Sequence, residues 1–122
     1  MAGDPALLFQ QGLAAYGRGD AGAAEEAFRT LVTQGHDGPD VLYNLGTTAL
    51  AQGKIGEAIY ALEQARRAGG GSDVEANLTI ARSRQLDQLV GGQSEEPFVE
   101  RLSAATSPAL AGGLFALSLI HI

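Results

Sequence analysis

The sequence has no cysteine, no tryptophan and few aromatic residues, which make up 6% of its 122 residues. The absence of cysteine excludes disulfide bonds, thiolate chemistry and cysteine-based zinc sites. Lysine and arginine total 8 against 14 aspartate and glutamate residues, so the formal net charge is −6. Because binding to a phosphate backbone needs clustered basic side chains, nucleic acid is not an expected partner.

The sequence also lacks a set of residues that is typical of an active site or a metal site. Its two histidines are His36 and His121, and neither has a second histidine at helical spacing. The acidic neighbours Glu25 and Glu26 point in different directions on a helix, so they do not form a pair that shares a proton. We therefore expect no catalytic residue, no metal site, no cofactor and no small-molecule substrate.

The amino-terminal residues do not resemble a signal peptide. Residues 1–5 contain neither a basic n-region nor an apolar h-region. Two interpretations stay open: the chain is cytosolic, or its natural amino terminus lies further upstream.

The sequence does contain an internal repeat. Gly12 and Gly46 lie one period apart, since 46 − 12 = 34. The same spacing relates five further pairs: Leu8 and Leu42, Gly19 and Gly53, Ala24 and Ala58, Phe28 and Leu62, and Leu31 and Ala65. A period of 34 residues is typical of repeats in which two helices form a hairpin.

The repeated glycines have a physical explanation. Gly12 and Gly46 fall in the middle of predicted helices, where glycine costs about 1 kcal/mol relative to alanine. We expect this cost to be offset by close approach of the partner helix. The residues predicted to make that contact from the partner helix are small or bulky apolar residues: Ala24, Ala58, Phe28 and Leu62.

Capping and turn residues give the predicted helix boundaries. The five predicted helices span 5–17, 21–34, 39–52, 55–68 and 73–90. Asp4 and Asp20 are suitable N-caps, and Ser72 is the predicted cap of the last helix. That last helix begins a third copy, because 73–78 resembles 40–45, with 73 − 40 = 33. It has no mid-helix glycine, so we expect it to cover the end of the solenoid and to stop before Gly91.

These features resemble the tetratricopeptide repeat (TPR). The residues that carry the resemblance are Leu45, Gly46, Ala58 and Leu62, and it extends over about residues 5–90. The first repeat departs from the pattern at Gln11, where leucine is usual, and neither repeat ends in the usual proline. The resemblance implies an all-α solenoid of two helix-turn-helix repeats plus a third capping helix, which binds other proteins and is not an enzyme.

The carboxy-terminal part differs in composition and divides the chain. Residues 1–91 form the predicted repeat domain, 92–107 a linker with a short amphipathic helix, and 108–122 an uncharged run. Residues Phe98, Val99, Leu102 and Ala105 share one helical face. That helix is expected either to lie at a membrane surface or to pack back on the solenoid.

The uncharged run is short for a membrane helix. The fourteen residues 109–122, which follow Pro108, span about 21 Å as a helix, against about 30 Å of hydrocarbon core. Because the run is apolar on all sides, we interpret it as the truncated start of a transmembrane helix. The alternative is a helix folded onto the concave face of the solenoid.

A narrower resemblance is to BatE-like proteins of the bacterial Bat aerotolerance operons. It is carried by the runs 42–46, 53–59 and 73–78 together with Ala81 and Arg82. The resemblance implies a periplasmic repeat region tethered to the cell membrane. It also implies partnership with other Bat proteins, which carry von Willebrand A-type domains.

Repeat alignment predicts a partner-binding groove on the first helix of each repeat. The expected lining residues are Phe9, Leu13, Tyr16, Tyr43, Asn44, Thr47, Leu50, Asn77, Ile80 and Arg84. Aromatic anchors and amide groups of this kind suit an extended peptide or a helix. Asn44 and Asn77 recur at matching sites, although the aromatic residues are equally compatible with ordinary core positions.

The sequence thus favours a membrane-tethered scaffold that binds proteins through its concave face. The alternative is a soluble cytosolic adaptor whose apolar carboxy-terminal helix packs on the solenoid. A third possibility is a regulatory domain separated from a larger catalytic chain.

Overall fold

The computed structural model describes residues 3–93, with side-chain environments given up to Gly91. Over that range the chain is entirely helical: α1 (Pro5–Gly17), α2 (Ala21–Thr33), α3 (Pro39–Ala51), α4 (Ile55–Arg67) and α5 (Ser72–Gln93). This confirms the predicted all-α class and the two hairpins, which are followed by a helix equivalent to the first helix of a repeat. The predicted juxtamembrane and transmembrane helices lie outside the described residues.

Side-chain caps and prolines start the helices where the sequence predicted. The Asp4 carboxylate accepts a hydrogen bond from the Ala6 amide at 3.1 Å, and Asp20 accepts one from the Ala23 amide at 3.0 Å. Both α1 and α3 begin with proline, whose fixed φ suits the first helical position.

A glycine with positive φ follows each of the first four helices. These are Gly19 (84°), Gly35 (91°), Gly53 (78°) and Gly69 (103°). The amide after each glycine donates back to a carbonyl in the last turn at 2.9 Å, as from Asp20 to Ala15 and from Gly70 to Ala65. Glycine adopts a positive φ without the steric penalty that other residues have, so it is favoured where a helix ends in this way. The turns that end the helices are therefore also part of the repeat.

Each hairpin closes through the predicted glycine contact. A Cβ atom at Gly12 would lie 2.7 Å from Phe28 Cζ, and one at Gly46 would lie 2.6 Å from Leu62 Cγ. Phe28 and Leu62 are fully buried, as are Ala24 and Ala58 one turn before them. The absence of a side chain at the two glycines therefore sets the distance between the paired helices.

The fifth helix corrects two predicted boundaries. Helix α5 includes Ser72 as its first residue, so Ser72 is not the residue that precedes the helix as its cap. The amides of Val74 and Glu75 donate to the Gly71 carbonyl oxygen. It also continues through Gly91 to Gln93, so the predicted stop before Gly91 is wrong. Glycine lowers helix stability by only about 1 kcal/mol, which does not force a helix to end.

Helix α5 covers the end of the solenoid. It packs mainly on α4 and touches α3 more narrowly. Thr79 occupies the place that Gly46 has in α3, since 79 − 46 = 33. A threonine side chain at this level does not permit the close helix approach that glycine permits in α3.

Candidate functional site

A half-buried row of apolar side chains runs along α1. Phe9, Leu13 and Tyr16 are spaced at three and four residues and therefore share one face. Phe9 packs edge to face on Phe28 of α2, with ring centroids 5.6 Å apart and planes at 68°. The row is thus held in place by the core while part of it stays accessible.

The predicted groove residues of α3 are buried. The set is Tyr43, Asn44, Thr47 and Leu50, each at 0% exposure. Helix α3 lies between α2 and α4 and also meets α5, so nearly its whole circumference is covered. This corrects the expectation that these four side chains line an open surface.

The two matching asparagines have different environments. Asn77 of α5 donates from Nδ2 to Thr47 Oγ1 at 2.8 Å, and this buried hydrogen bond joins α5 to α3. Asn44 Nδ2 donates to the Asp40 carbonyl at 3.0 Å, while its Oδ1 accepts no hydrogen bond from residues 3–93. In α1 the position of Thr47 is taken by Leu13, since 47 − 13 = 34, so the first repeat offers no hydroxyl there.

The structure brings Tyr16 of α1 close to Tyr43 of α3. Burial raises the pKa of the Tyr16 hydroxyl to about 12, and the neighbouring Tyr43 adds to the effect. The predicted residues of α1 and α3 therefore meet at this pair, with Tyr16 half-buried and Tyr43 fully buried. On α5, Ile80 and Arg84 are half-buried. The partly accessible members of the predicted set are Phe9, Leu13, Tyr16, Ile80 and Arg84.

The sequence did not reveal a polar cluster around Glu25. This α2 carboxylate is only 5% exposed, whereas its neighbour Glu26 is exposed. Glu25 Oε1 accepts from Gln52 Nε2 at 2.7 Å and from Lys54 Nζ at 3.0 Å, and Oε2 pairs with Arg29. The cluster links the first hairpin to the turn of the second.

The charge of Glu25 is retained in the folded protein. Burial by itself raises the pKa of this carboxyl, but the hydrogen bonds from Gln52, Lys54 and Arg29 outweigh burial and leave the pKa below its ordinary value. Because both oxygens are occupied by fixed donors, the carboxylate serves packing between repeats. Only the pair Glu25 and Arg29, four residues apart, was visible in the sequence.

A second surface missed by the sequence lies between α2 and α4. It is an open depression of about 590 Å³ whose apolar lining comes from Val32, Leu45, Ala49, Tyr60 and Ala61. Tyr60 is well exposed at its edge. The depression depends on the spacing of two helices from different repeats, which no local sequence pattern indicates.

Residues 3–93 contain neither a metal-binding cluster nor a helix suited to crossing a membrane. No three histidine, aspartate or glutamate side chains in this range are grouped so that they could bind a metal ion. Within the same range no helix combines the length and the apolar character that crossing a membrane requires.

Comparison with known protein families identifies the repeat. The family model described as tetratricopeptide repeat matches residues 9–73, which is more than half of the chain. The matched range leaves out the first four residues of α1 and covers the rest of both hairpins, with the glycine contacts described above. Neither the curated proteins nor the solved structures give a match.

Proposed function

Because this chain belongs to the tetratricopeptide repeat family, we propose that it is a membrane-tethered scaffold that binds partner proteins through its concave face, chiefly along α1. Repeats of this family generally mediate contacts between proteins. The family consists of non-enzymatic scaffolds, which agrees with a role in binding.

The observation that carries the proposal is the row Phe9, Leu13 and Tyr16 on α1. These side chains are apolar, partly accessible and fixed by the core beneath them. A fixed aromatic or aliphatic anchor loses little conformational entropy on binding, which is why such residues contribute most to protein interfaces.

The finer parts of the proposal depend on the sequence. The uncharged run 108–122 supports a membrane tether, and the resemblance to BatE-like proteins supports an extracytoplasmic location. That resemblance also makes other Bat proteins the first partners to test. The competing proposal is a soluble cytosolic adaptor in which the same run packs on the solenoid.

Partner binding is tested with two matched leucines of α1. Leu13 belongs to the row, whereas Leu7 is 55% exposed and lies on a different face. The full chain, Leu13→Ala and Leu7→Ala are used as baits in a native lysate, and captured proteins are quantified by mass spectrometry. We expect Leu13→Ala to reduce capture of specific partners about fivefold or more, while Leu7→Ala leaves it unchanged.

One result would contradict the site, and a second would require a milder substitution. Equal capture by both variants means that α1 does not bind partners through this row. A large drop in the helix melting temperature of Leu13→Ala means that the effect is on folding, and Tyr16→Phe then provides a milder test. Tyr43 and Asn44 are poor choices for substitution because both are fully buried.

The tether is tested separately by flotation with phosphatidylglycerol and phosphatidylcholine vesicles. We expect the full chain to float and Leu114→Lys to float less, because a charge inside hydrocarbon costs about 2.5–3.5 kcal/mol. If the full chain stays at the bottom and Leu114→Lys lowers the melting temperature of the helical domain, the soluble adaptor is correct instead.

A further inference from the structure

We propose that copies of this chain associate head to tail, with Leu86 and Leu89 of α5 in one copy docking in the depression between α2 and α4 of the next. These two leucines form a leucine ridge. The association is independent of partner binding on α1.

The leucine ridge lies on the part of α5 that is not covered by the rest of the solenoid. The buried side chains of Val74, Leu78 and Ala81 belong to the amino-terminal half of the helix. Between residues 82 and 90 every side chain is at least partly accessible. Leu86 is 60% exposed and Leu89 is 62% exposed, and residues three apart share one helical face. The ridge can therefore reach another molecule while its own chain keeps its fold.

The depression offers an apolar surface that suits such a ridge. Ala49 and Ala61, which are 2% and 4% exposed, contribute only methyl groups to its lining. Val32 of α2 and Tyr60 of α4 contribute larger apolar side chains. A groove between two helices accepts the large side chains of a third helix when small residues leave room for them.

The ridge and the depression do not meet within one chain. In the same structure the leucines are mostly exposed and the depression is open. A second copy supplies the missing surface to each of them, and contact then removes both apolar surfaces from water. Because the contact joins two different surfaces, it is heterologous and leaves one ridge and one depression available at the ends of each assembly.

Charge complementarity supports this occupant and gives the direction of the contact. Arg82 lies four residues before Leu86, and its side chain is 57% exposed. Glu57 lies four residues before Ala61, and its side chain is 60% exposed. Four residues correspond to about 6 Å along either helix. When α5 of one copy lies parallel to α4 of the other with Leu86 over Ala61, Arg82 therefore meets Glu57.

Both charged groups can take this further partner. Arg82 pairs with Glu63 of its own chain, but a guanidinium group carries five N–H donors and can serve two carboxylates. The pair of Glu57 with Arg29 is exposed on both sides and long, at 3.4 Å between Oε1 and Nη2. Such a pair contributes little to stability, so it does not prevent Glu57 from binding a second cation.

Complementation between two variants of the full chain tests the proposal. Leu89→Glu disables the ridge and Tyr60→Glu disables the depression, and both substitutions are at exposed sites. Each variant is measured alone and in an equimolar mixture by sedimentation velocity, from about 10 μM to about 1 mM, because small interfaces bind weakly. Salt at about 0.15 M screens the repulsion between copies that each carry a net charge of −6.

We expect the wild type to grow beyond dimers as its concentration rises, since every copy carries one ridge and one depression. Each variant alone should stay monomeric. The mixture should form a one-to-one dimer, because the intact ridge of Tyr60→Glu meets the intact depression of Leu89→Glu. Leu7→Glu, at a leucine of α1 that is 55% exposed, is the matched control and should associate like the wild type.

Far-ultraviolet circular dichroism checks that each variant keeps its helices, and Leu89→Ser or Tyr60→Ser replaces one that does not. Three outcomes would overturn the proposal. A wild type that stays monomeric up to about 1 mM shows that the two surfaces do not bind each other. Association retained by both variants shows that the contact lies elsewhere in the chain. Association lost in Leu89→Glu but kept in Tyr60→Glu shows that two copies pair through α5 alone.

Discussion

Gly46 of α3 lies so close to Leu62 of α4 that a Cβ atom on the glycine would come within 2.6 Å of Leu62 Cγ. The same hypothetical atom would lie 3.2 Å from the Ala58 carbonyl oxygen. A branch carbon of a fully buried leucine and a backbone oxygen have little freedom to move away. The contact therefore fixes how tightly the second hairpin closes.

Replacing Gly46 with alanine should destabilise the protein. Overpacking costs about 1–3 kcal/mol, and the better helix propensity of alanine returns up to about 1 kcal/mol, so we expect a net loss of about 1–2 kcal/mol. The measurement is urea unfolding followed by circular dichroism. Gly56→Ala is the control, because nothing lies within 4 Å of that site on α4. An equal loss in both variants would show that the packing argument is incorrect.

Glu25→Gln should weaken the contact between the repeats. The substitution keeps the shape of the side chain but removes the charge that Lys54 and Arg29 neutralise. Since hydrogen bonds to charged groups contribute about 1.5–3 kcal/mol, we expect a loss of about 1–3 kcal/mol in the free energy of unfolding. Glu26→Gln, at the exposed neighbour, should change it by less than about 0.5 kcal/mol. Similar effects at both positions would rule out a special role for the buried carboxylate.

The stability gained from Glu25 should disappear at low pH. Its pKa in the folded protein lies below the ordinary value of 4.5, so the folded state holds the proton less tightly than the unfolded state does. The contribution is complete above that value and is lost as the pH falls through the folded-state pKa. The difference in unfolding free energy between wild type and Glu25→Gln should be constant near neutral pH and narrow below about pH 4.5. A difference that widens on acidification would reverse the assigned direction of the pKa.

The hydrogen bond from Asn77 to Thr47 should couple α5 to the second repeat. We expect Asn77→Ala and Thr47→Val to be non-additive, with a coupling energy of about 0.5–1.5 kcal/mol. A double-mutant cycle in urea measures this coupling. Asn44→Ala paired with Thr47→Val is the comparison, because the Asn44 side chain donates to the Asp40 carbonyl instead. Coupling near zero in the first cycle would mean that the bond does not hold α5.

The predicted groove residues are partly accessible on α1 and fully buried on α3. Repeat alignment identified Tyr16 and Tyr43 as members of one region, and the structure brings them together. The alignment gives the face of a helix but not what covers that face. Tyr43 and Leu50 were therefore expected on an open surface, although they are fully buried.

The sequence by itself determined the helices, their starts and most of their ends. The features that set them, such as the Asp4 cap and the positive φ of Gly19, depend only on residues close by in the chain. It also determined the glycine contacts, because the 34-residue period repeats both the mid-helix glycine and the bulky apolar residue that packs on it. Only the tertiary structure decided the burial of Glu25, which is bonded to Gln52 27 positions away. The same holds for Asn77 and Thr47, 30 positions apart. Such contacts depend on how neighbouring repeats stack, and no local pattern in the chain encodes that distance.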